Sequence, residues 1–325
     1  MKENNCSITF GPIPSRRLGR SLGINNIPPK ICSYSCVYCQ IGATDFMSIQ
    51  RKYFFSPEEI YLEVFKKVEQ LQSAGERIDY LTFVPDGEPT LDINLGKTIE
   101  LLKPLGIKIA VITNSSLLWD KNVRKELANA DWVSVKIDTV DEKIWHKIDR
   151  PNGKLKLEEI LCGIKTFASS FRGMLVTETM LVQGINDNAE SIKKTADTIS
   201  NINPDKAYIL VPTRPSSESY VEPPTEENLN MTYQIFCDLV KDVELLAYNE
   251  GTEFSYSFDA EKELLSILAV HPMRKDAMEA FLSKAGVDWN LVQKLLDQNE
   301  LKQMKFSGNT FFVKILDRKN KMELI

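Results

Sequence analysis

Three cysteines fall within eight residues, in the segment Cys32-Ser33-Tyr34-Ser35-Cys36-Val37-Tyr38-Cys39. A loop this tight can aim three thiolates at one inorganic centre but offers no fourth protein ligand at the same place. Iron–sulfur cubanes take one thiolate per iron, so three cysteines leave one iron open to something that is not protein. A structural zinc site is instead closed by four ligands, usually from two C-x2-C pairs or histidines. Only Cys36 and Cys39 have that spacing, and both histidines, His146 and His271, lie more than a hundred residues away. Cys6, Cys162 and Cys237 stand alone. A zinc or redox-thiol loop is the rival reading, and the missing fourth ligand counts against it.

Other polar residues gather in short groups. Asp86-Gly87-Glu88-Pro89-Thr90 combines acceptors with a glycine, which lets backbone approach closely; read blandly it is a β-turn. Thr113-Asn114-Ser115-Ser116 follows an apolar run, and Lys136 and Asp138, two apart, point to one side of a strand. A salt-bridged pair inside a barrel is the plain reading of those two. Glu178 lies in Thr177-Glu178-Thr179-Met180. Upstream, Arg16, Arg17 and Arg20 could grip a carboxylate or phosphate, or could pair with acidic groups where their loop caps a barrel.

These groups need a frame, and the hydrophobic pattern supplies one. Residues 22–27 read as a short strand entering the cysteine loop, after a Gly- and Pro-shaped loop from Phe10. Ser56-Pro57-Glu58-Glu59 starts a helix, with Ile60, Val64, Val68 and Leu71 at helical spacing. Strands are then expected over 80–84, 108–113, 132–137, 175–182 and 207–211. Helices are expected over 94–105, 118–128, 142–148, 157–167, 189–202 and 226–248. Six successive βα units demand parallel strands with right-handed crossovers. The predicted architecture is an α/β fold, a partial (β/α)6 TIM-like barrel. Sites in such sheets form at the carboxyl ends of the strands, where the cysteine loop and the polar groups fall.

The pattern C-x3-C-x-Tyr-C, with Tyr38 before the last cysteine, resembles the signature of the radical S-adenosylmethionine (SAM) superfamily. The resemblance covers roughly residues 10–250. It implies a [4Fe-4S] cluster on Cys32, Cys36 and Cys39, whose open iron is chelated by SAM. An electron from an external donor such as flavodoxin or ferredoxin would then release a 5′-deoxyadenosyl radical that takes hydrogen from a substrate. Asp86-Gly87-Glu88 resembles the family's Gly-Gly-Glu, with Asp86 in place of the first glycine, and Thr113-Asn114 resembles its Thr-Asn-Gly, lacking the glycine. The resemblance implies that Tyr38, Gly87, Glu88, Asn114, Lys136, Asp138 and Glu178 contact the cofactor. Arg150-Pro151 after a Lys-x-Asp strand looks similar to wyosine synthases, which act on transfer RNA, although the additional upstream cysteines of those enzymes are missing.

Past residue 250 the alternation stops. Helices are expected over 260–270, 273–284 and 288–298, then a hairpin of 301–306 and 310–315 around Ser307-Gly308-Asn309. Three helices and a hairpin look like a winged helix-turn-helix. The expected domains are thus a core over 1–250 and a winged helix over 251–325. The third helix carries Asp288, Lys294 and Asp297 and is weakly acidic, so duplex DNA is disfavoured against docking of a peptide or RNA. Arg318, Lys319 and Lys321 add charge on the wing side.

Composition fits this picture. The 325 residues are 43% hydrophobic and 26% charged, with a net charge of −5, so no global basic field argues for nonspecific nucleic-acid binding. Neither an apolar leader nor a run of membrane-spanning length is seen, and a cytoplasmic, reduced-thiol setting is expected. The function this predicts is a radical SAM enzyme that abstracts hydrogen from a substrate the sequence leaves open among an RNA base, a peptide side chain and a small metabolite. The kinship to wyosine synthases tilts this towards RNA, with a peptide- or protein-modifying enzyme as the alternative. The alternative from another class is a DNA-binding regulator whose cysteines hold a sensory cluster or zinc.

Overall fold

A computed structural model of the chain describes residues 7–247, 254 and 259–315. Cys6, most of the run expected at 253–258, and Arg318, Lys319 and Lys321 lie outside the described residues. In order, the elements are β1 (Thr9–Ser15), β2 (Gly19–Ile24), β3 (Ile31–Cys32), β4 (Phe46–Met47), α1 (Pro57–Ser73), β5 (Tyr80–Phe83), α2 (Leu95–Leu102), β6 (Lys108–Thr113) and α3 (Lys121–Leu127). There follow β7 (Trp132–Lys136), α4 (Glu142–Ile148), α5 (Leu157–Ser170), β8 (Met174–Met180), α6 (Ala189–Ile202), β9 (Lys206–Leu210), α7 (Glu226–Leu239) and β10 (Val243–Leu246). The described residues continue with α8 (Ala260–Val270), β11 (Met273–Arg274), α9 (Lys275–Ala285), α10 (Asn290–Asp297), β12 (Leu301–Phe306) and β13 (Asn309–Lys314).

The main sheet has the order β1-β2-β5-β6-β7-β8-β9-β10. From β2 onward every pairing is parallel, as strand–helix alternation requires. Period-two alternation sorts the side chains. Val133 and Val135 of β7 join the apolar layer beneath the helices, whereas Trp132 packs with Ala110, Val176, Tyr208 and Leu210 inside the curl. Ser134 and Lys136 share that inner face, so parity alone delivers Lys136 to the interior. Helix starts follow the expected chemistry: Ser56 caps α1, its hydroxyl accepting from the Glu59 amide at 3.0 Å.

Three segments depart from the sequence reading, one of them Met273–Arg274, expected to open a helix but paired as β11 with β13; the other two lie in the core. Residues 226–248 were expected to be one helix, but α7 stops at Leu239, Val240 is extended, and β10 pairs with β9 as a seventh parallel strand. Val243, Leu245 and Leu246 suit a strand or a helix equally in so short a run, and no glycine or proline marks the break. The loop expected from Phe10 is instead β1, antiparallel to β2, with its register shifted between Phe10 and Ile13 around Gly11. The turn joining the two strands fills the gap of the incomplete barrel. Leu18 is buried among the interior residues, Arg16 donates to the Leu246 carbonyl at 2.9 Å, and Arg17 pairs with Glu178.

The C-terminal elements form a unit of helices and a three-stranded sheet of order β11-β13-β12. Its core is not its own alone, since Phe10 and Ile13 of β1 pack with Leu264, Ile267, Met278 and Phe281. A largely buried ion pair, Lys67 with Glu263 at 2.6 Å, holds the same contact. Among the described residues no helix is long and apolar enough to cross a membrane.

Asp92 braces the loop after β5. It accepts from the Asn94 amide at 2.9 Å and from Asn26 Nδ2 at 3.2 Å, and Asn26 also holds the Pro89 carbonyl at 3.0 Å. Burial pushes its carboxyl up to about 6, from an ordinary 3.8. The folded chain therefore binds more protons than the unfolded chain between those values, and this group's contribution is lost as pH rises through about 4 to about 6. Chemical denaturation at several pH values is expected to show that loss, on the order of 3 kcal/mol in full, and to show it flattened in Asp92→Asn.

Candidate functional site

The cysteine loop leaves β3 and is held on both sides by other loops at the same end of the sheet. Ser35 and Val37 donate their amides to the carbonyls of Asp149 at 3.0 Å and Ile148 at 2.9 Å, and the Asn152 amide reaches the Ser33 carbonyl at 2.9 Å. From the opposite side the Ser217 hydroxyl lies 3.0 Å from the Cys36 carbonyl and 2.8 Å from that of Val37. So fixed, Cys32, Cys36 and Cys39 line one cavity of about 300 Å³. Among the described residues no three His, Cys, Asp or Glu side chains converge on a point that a single metal ion would fill. The thiols share a cavity wall without sharing one ligand point.

All three thiols are held in the neutral form. Burial, reinforced by Glu88, pushes Cys32 up to about 12; burial and Asp149 carry Cys36 well above the usual thiol range, and burial raises Cys39. Thiolates here need a compensating positive centre, which is what iron supplies.

The group at 86–90 is built into the backbone. A Cβ on Gly87 would stand 2.0 Å from the Ile31 carbonyl oxygen, so the glycine answers the chain's own β3, which bridges to it. The Asp86 carbonyl accepts from the Lys30 amide at 2.6 Å, and that position needs no glycine to do so. Glu88 is buried, and its carboxylate gathers four donors: the Thr90 amide (3.1 Å) and hydroxyl (2.6 Å), the Thr113 hydroxyl (2.6 Å) and the Asn114 amide (2.7 Å). It clips the loop after β5 to the loop after β6.

Lys136 and Glu178 are register partners on β7 and β8 and both line the cavity. Burial alone would raise Glu178, but Arg17 and Lys136 hold it below the usual carboxylate range; Ser134 donates to it at 2.6 Å. Burial alone would lower Lys136, but Asp138 and Glu178 keep it raised, and its ammonium lies 4.9 Å from the Tyr38 ring centroid. Asp138 is placed differently. It sits behind Tyr38, taking the tyrosine hydroxyl on one oxygen and the Met180 amide (2.7 Å) on the other, and does not reach the cavity wall. It lies past the end of β7, where the two-residue alternation no longer governs direction.

Sequence reasoning missed several residues here. Asp149, next to Arg150-Pro151, faces Cys36 Sγ at 3.3 Å and the Tyr38 hydroxyl at 3.1 Å. Arg214 joins Gln40 (2.6 Å) to His271 Nε2 (2.7 Å), and Gln40 donates to the Val270 carbonyl at 3.1 Å, so the end of α8 meets the residue after Cys39. Nothing local in the sequence links positions so far apart.

Residues 26–199 match the Radical SAM superfamily. The chain belongs to that superfamily. A UPF0026 protein of Methanocaldococcus jannaschii is 45% identical over 97% of this chain and 98% of its own length. An S-adenosylmethionine-dependent nucleotide dehydratase of Lacinutrix mariniflava is 24% identical over 70% of this chain and 46% of its own length. Among solved structures, a radical SAM methyltransferase from Sphaerobacter thermophilus matches with a TM-score of 0.55 and 14% identity, over 70% of this chain and 66% of that one; this likeness shows the fold. A radical SAM enzyme uses a [4Fe-4S] cluster and SAM, and the donor set fits them: three cavity-lining thiols, with charged Lys136 and Glu178 on the same wall.

Against the superfamily's Thr-Asn-Gly, Ser115 stands where glycine is usual, and its φ of 70° is the left-handed conformation glycine favours. A non-glycine residue there costs about 1–2 kcal/mol. The serine offsets this by accepting the Lys136 amide on Oγ at 2.7 Å, while its own amide donates to Thr113 Oγ1 at 3.0 Å. Ser115→Ala keeps the strain and loses the acceptor, and is expected to cost about 1–3 kcal/mol; Ser115→Gly loses the acceptor but not the conformation, and should cost less. Denaturant midpoints of the two variants check the order.

Proposed function

We propose that this radical SAM enzyme abstracts hydrogen from a phosphate-bearing substrate of nucleotide type, RNA included, presented at the mouth of the barrel. The observation that carries this reading is a contrast of charge. The chain is acidic overall, at −5, yet Arg16, Arg17, Lys30, Lys136 and Arg214 line the cavity against Asp86, Glu88 and Glu178. Five cationic side chains thus face three carboxylates, with Glu178 paired to Arg17. A cavity with that balance draws in and orients an anion. The nucleotide substrate of the relative from Lacinutrix mariniflava is in keeping with it.

When bound, the cluster supplies the electron that splits SAM into methionine and the hydrogen-abstracting 5′-deoxyadenosyl radical. The protein's part is to hold and to exclude. Cys32, Cys36 and Cys39 hold the cluster, and Lys136 and Glu178 offer charge to SAM. Tyr38, fixed by Asp138 and bearing Lys136 over its ring, forms the adjoining wall. The strand-end loops keep water from the reacting carbon. Glu88, Asn114 and Asp138 support this wall through the bonds described above, and Gly87 lets β3 approach it. A flavodoxin or ferredoxin is the electron donor in this reading, and the setting is cytoplasmic.

The succession α8, β11, α9, α10, β12, β13 supports reading residues 251–325 as a winged helix-turn-helix domain beside a core of 1–250. Its place next to Gln40 suits docking of a large substrate over the cavity.

Anaerobic incubation of the full chain with SAM and dithionite is expected to yield 5′-deoxyadenosine, and Cys32→Ala, Cys36→Ala or Cys39→Ala to abolish it. Normal cleavage in any of these variants would refute the cluster assignment. For the substrate, deuterated cellular RNA and nucleotides are offered as hydrogen donors alongside deuterated peptides. Deuterium in 5′-deoxyadenosine from the RNA or nucleotide fraction supports the reading, and transfer from the peptide fraction alone overturns it.

A further inference from the structure

Asn114 resembles a cofactor-contacting residue in sequence, yet the structure spends its side chain on the cysteine loop. Its Oδ1 accepts the Ser116 amide at 2.9 Å, which fixes which end of the carboxamide is which. The NH2 end then faces Ser33 Oγ at 2.9 Å and Cys32 Sγ at 3.4 Å, two acceptors for its two protons. Turning the amide over would break the Ser116 bond and set a carbonyl oxygen against the sulfur. Ser33 and Ser116 are themselves joined, hydroxyl to hydroxyl at 2.5 Å and fully buried, so the carboxamide has little freedom to turn away.

We propose that Asn114 is a positioning residue for the cluster, an N–H···S donor to the Cys32 ligand that raises the reduction potential of the iron–sulfur centre. Hydrogen bonds to ligating sulfurs are among the levers that set cluster potentials. Adding an electron puts more negative charge on the sulfurs, so a donor aimed at one of them stabilises the reduced state more than the oxidised one. Burial strengthens the effect by keeping water from screening it. The donor sits on the loop after β6, and that loop also carries the Glu88 contacts and the Ser115 acceptor for Lys136. One loop thereby tunes the cluster and shapes the wall beside it.

The test is an EPR-monitored redox titration of the anaerobically reconstituted full chain without SAM, comparing wild type, Asn114→Leu and Ser116→Ala. Asn114→Leu keeps the volume and removes the donor, and its midpoint is expected to move to a more negative potential at unchanged iron content per chain. Ser116→Ala loosens the same loop, loses the bond to Ser33 and leaves the N–H donor in place, so its midpoint should stay with the wild type. An unmoved midpoint in Asn114→Leu at full cluster occupancy overturns the proposal, as does an equal shift in Ser116→Ala, which would mark a merely structural role. Should Asn114→Leu take up no cluster, pulsed EPR of reduced wild-type chain grown with ¹⁵N-asparagine decides. Asn114 is the asparagine among the described cavity-lining residues; a ¹⁵N coupling to the cluster supports the assignment, and its absence overturns it.

Discussion

The structure depends on a buried carboxylate that never meets solvent. Glu88 collects donors from its own turn and from the next strand's loop, and in doing so fixes the distance between the ends of β5 and β6. Burial raises that carboxyl above its ordinary range, and the hydrogen bonds from Thr113, Thr90 and Asn114 pull the other way. Bonds to an ionised group contribute about 1.5–3 kcal/mol each, whereas stripping the partners from a buried charge is strongly unfavourable. The loops after β5 and β6, the latter carrying Asn114, are therefore fixed before any cofactor arrives. A site that must hold a cluster, a sulfonium and a substrate carbon in one line gains from such rigidity, because a small displacement there costs rate steeply.

The incomplete barrel raises a second problem, which the N-terminal hairpin solves. A sheet that curls without closing leaves its interior open between the first strand and the last. Here the turn between β1 and β2 supplies Leu18 as filler, Arg16 as a link to the end of β10 and Arg17 as the partner of Glu178. The guanidinium does double duty: it closes the gap and keeps Glu178 ionised beside Lys136. The opposed charges on β7 and β8 thus rest on a turn more than a hundred residues upstream.

Much of this was legible before any coordinates. The cysteine spacing, the strand–helix alternation and the gathering of polar residues at strand ends led to the fold and to the wall of the cavity, because each is a local signal with a fixed period. Asp138 turns to the back of Tyr38 because it lies two residues beyond β7, where that period has ended. β10 was hidden because Val243 to Leu246 reads as well in a helix as in a strand, and only the pairing with β9 decides. Asp149, Arg214 and Ser217 lie in proline-interrupted loops that the sequence places at site-facing ends, but their partners lie 57 to 181 residues away and no motif announces them. Ser115 could have been found, since a missing glycine in a turn that needs one asks what the substitute's side chain does.

Phe10 and Ile13 belong to the barrel by pairing and to the C-terminal unit by packing. On the ribosome β1 is made about 250 residues before Leu264, Ile267 and Phe281, which pack against its Phe10 and Ile13. Proteins fold broadly in the order in which they are made, so this one leaves its opening hairpin half-dressed for most of its birth. Helices α8 and α9 act as a fastening, and the first hairpin and the C-terminal unit complete one another.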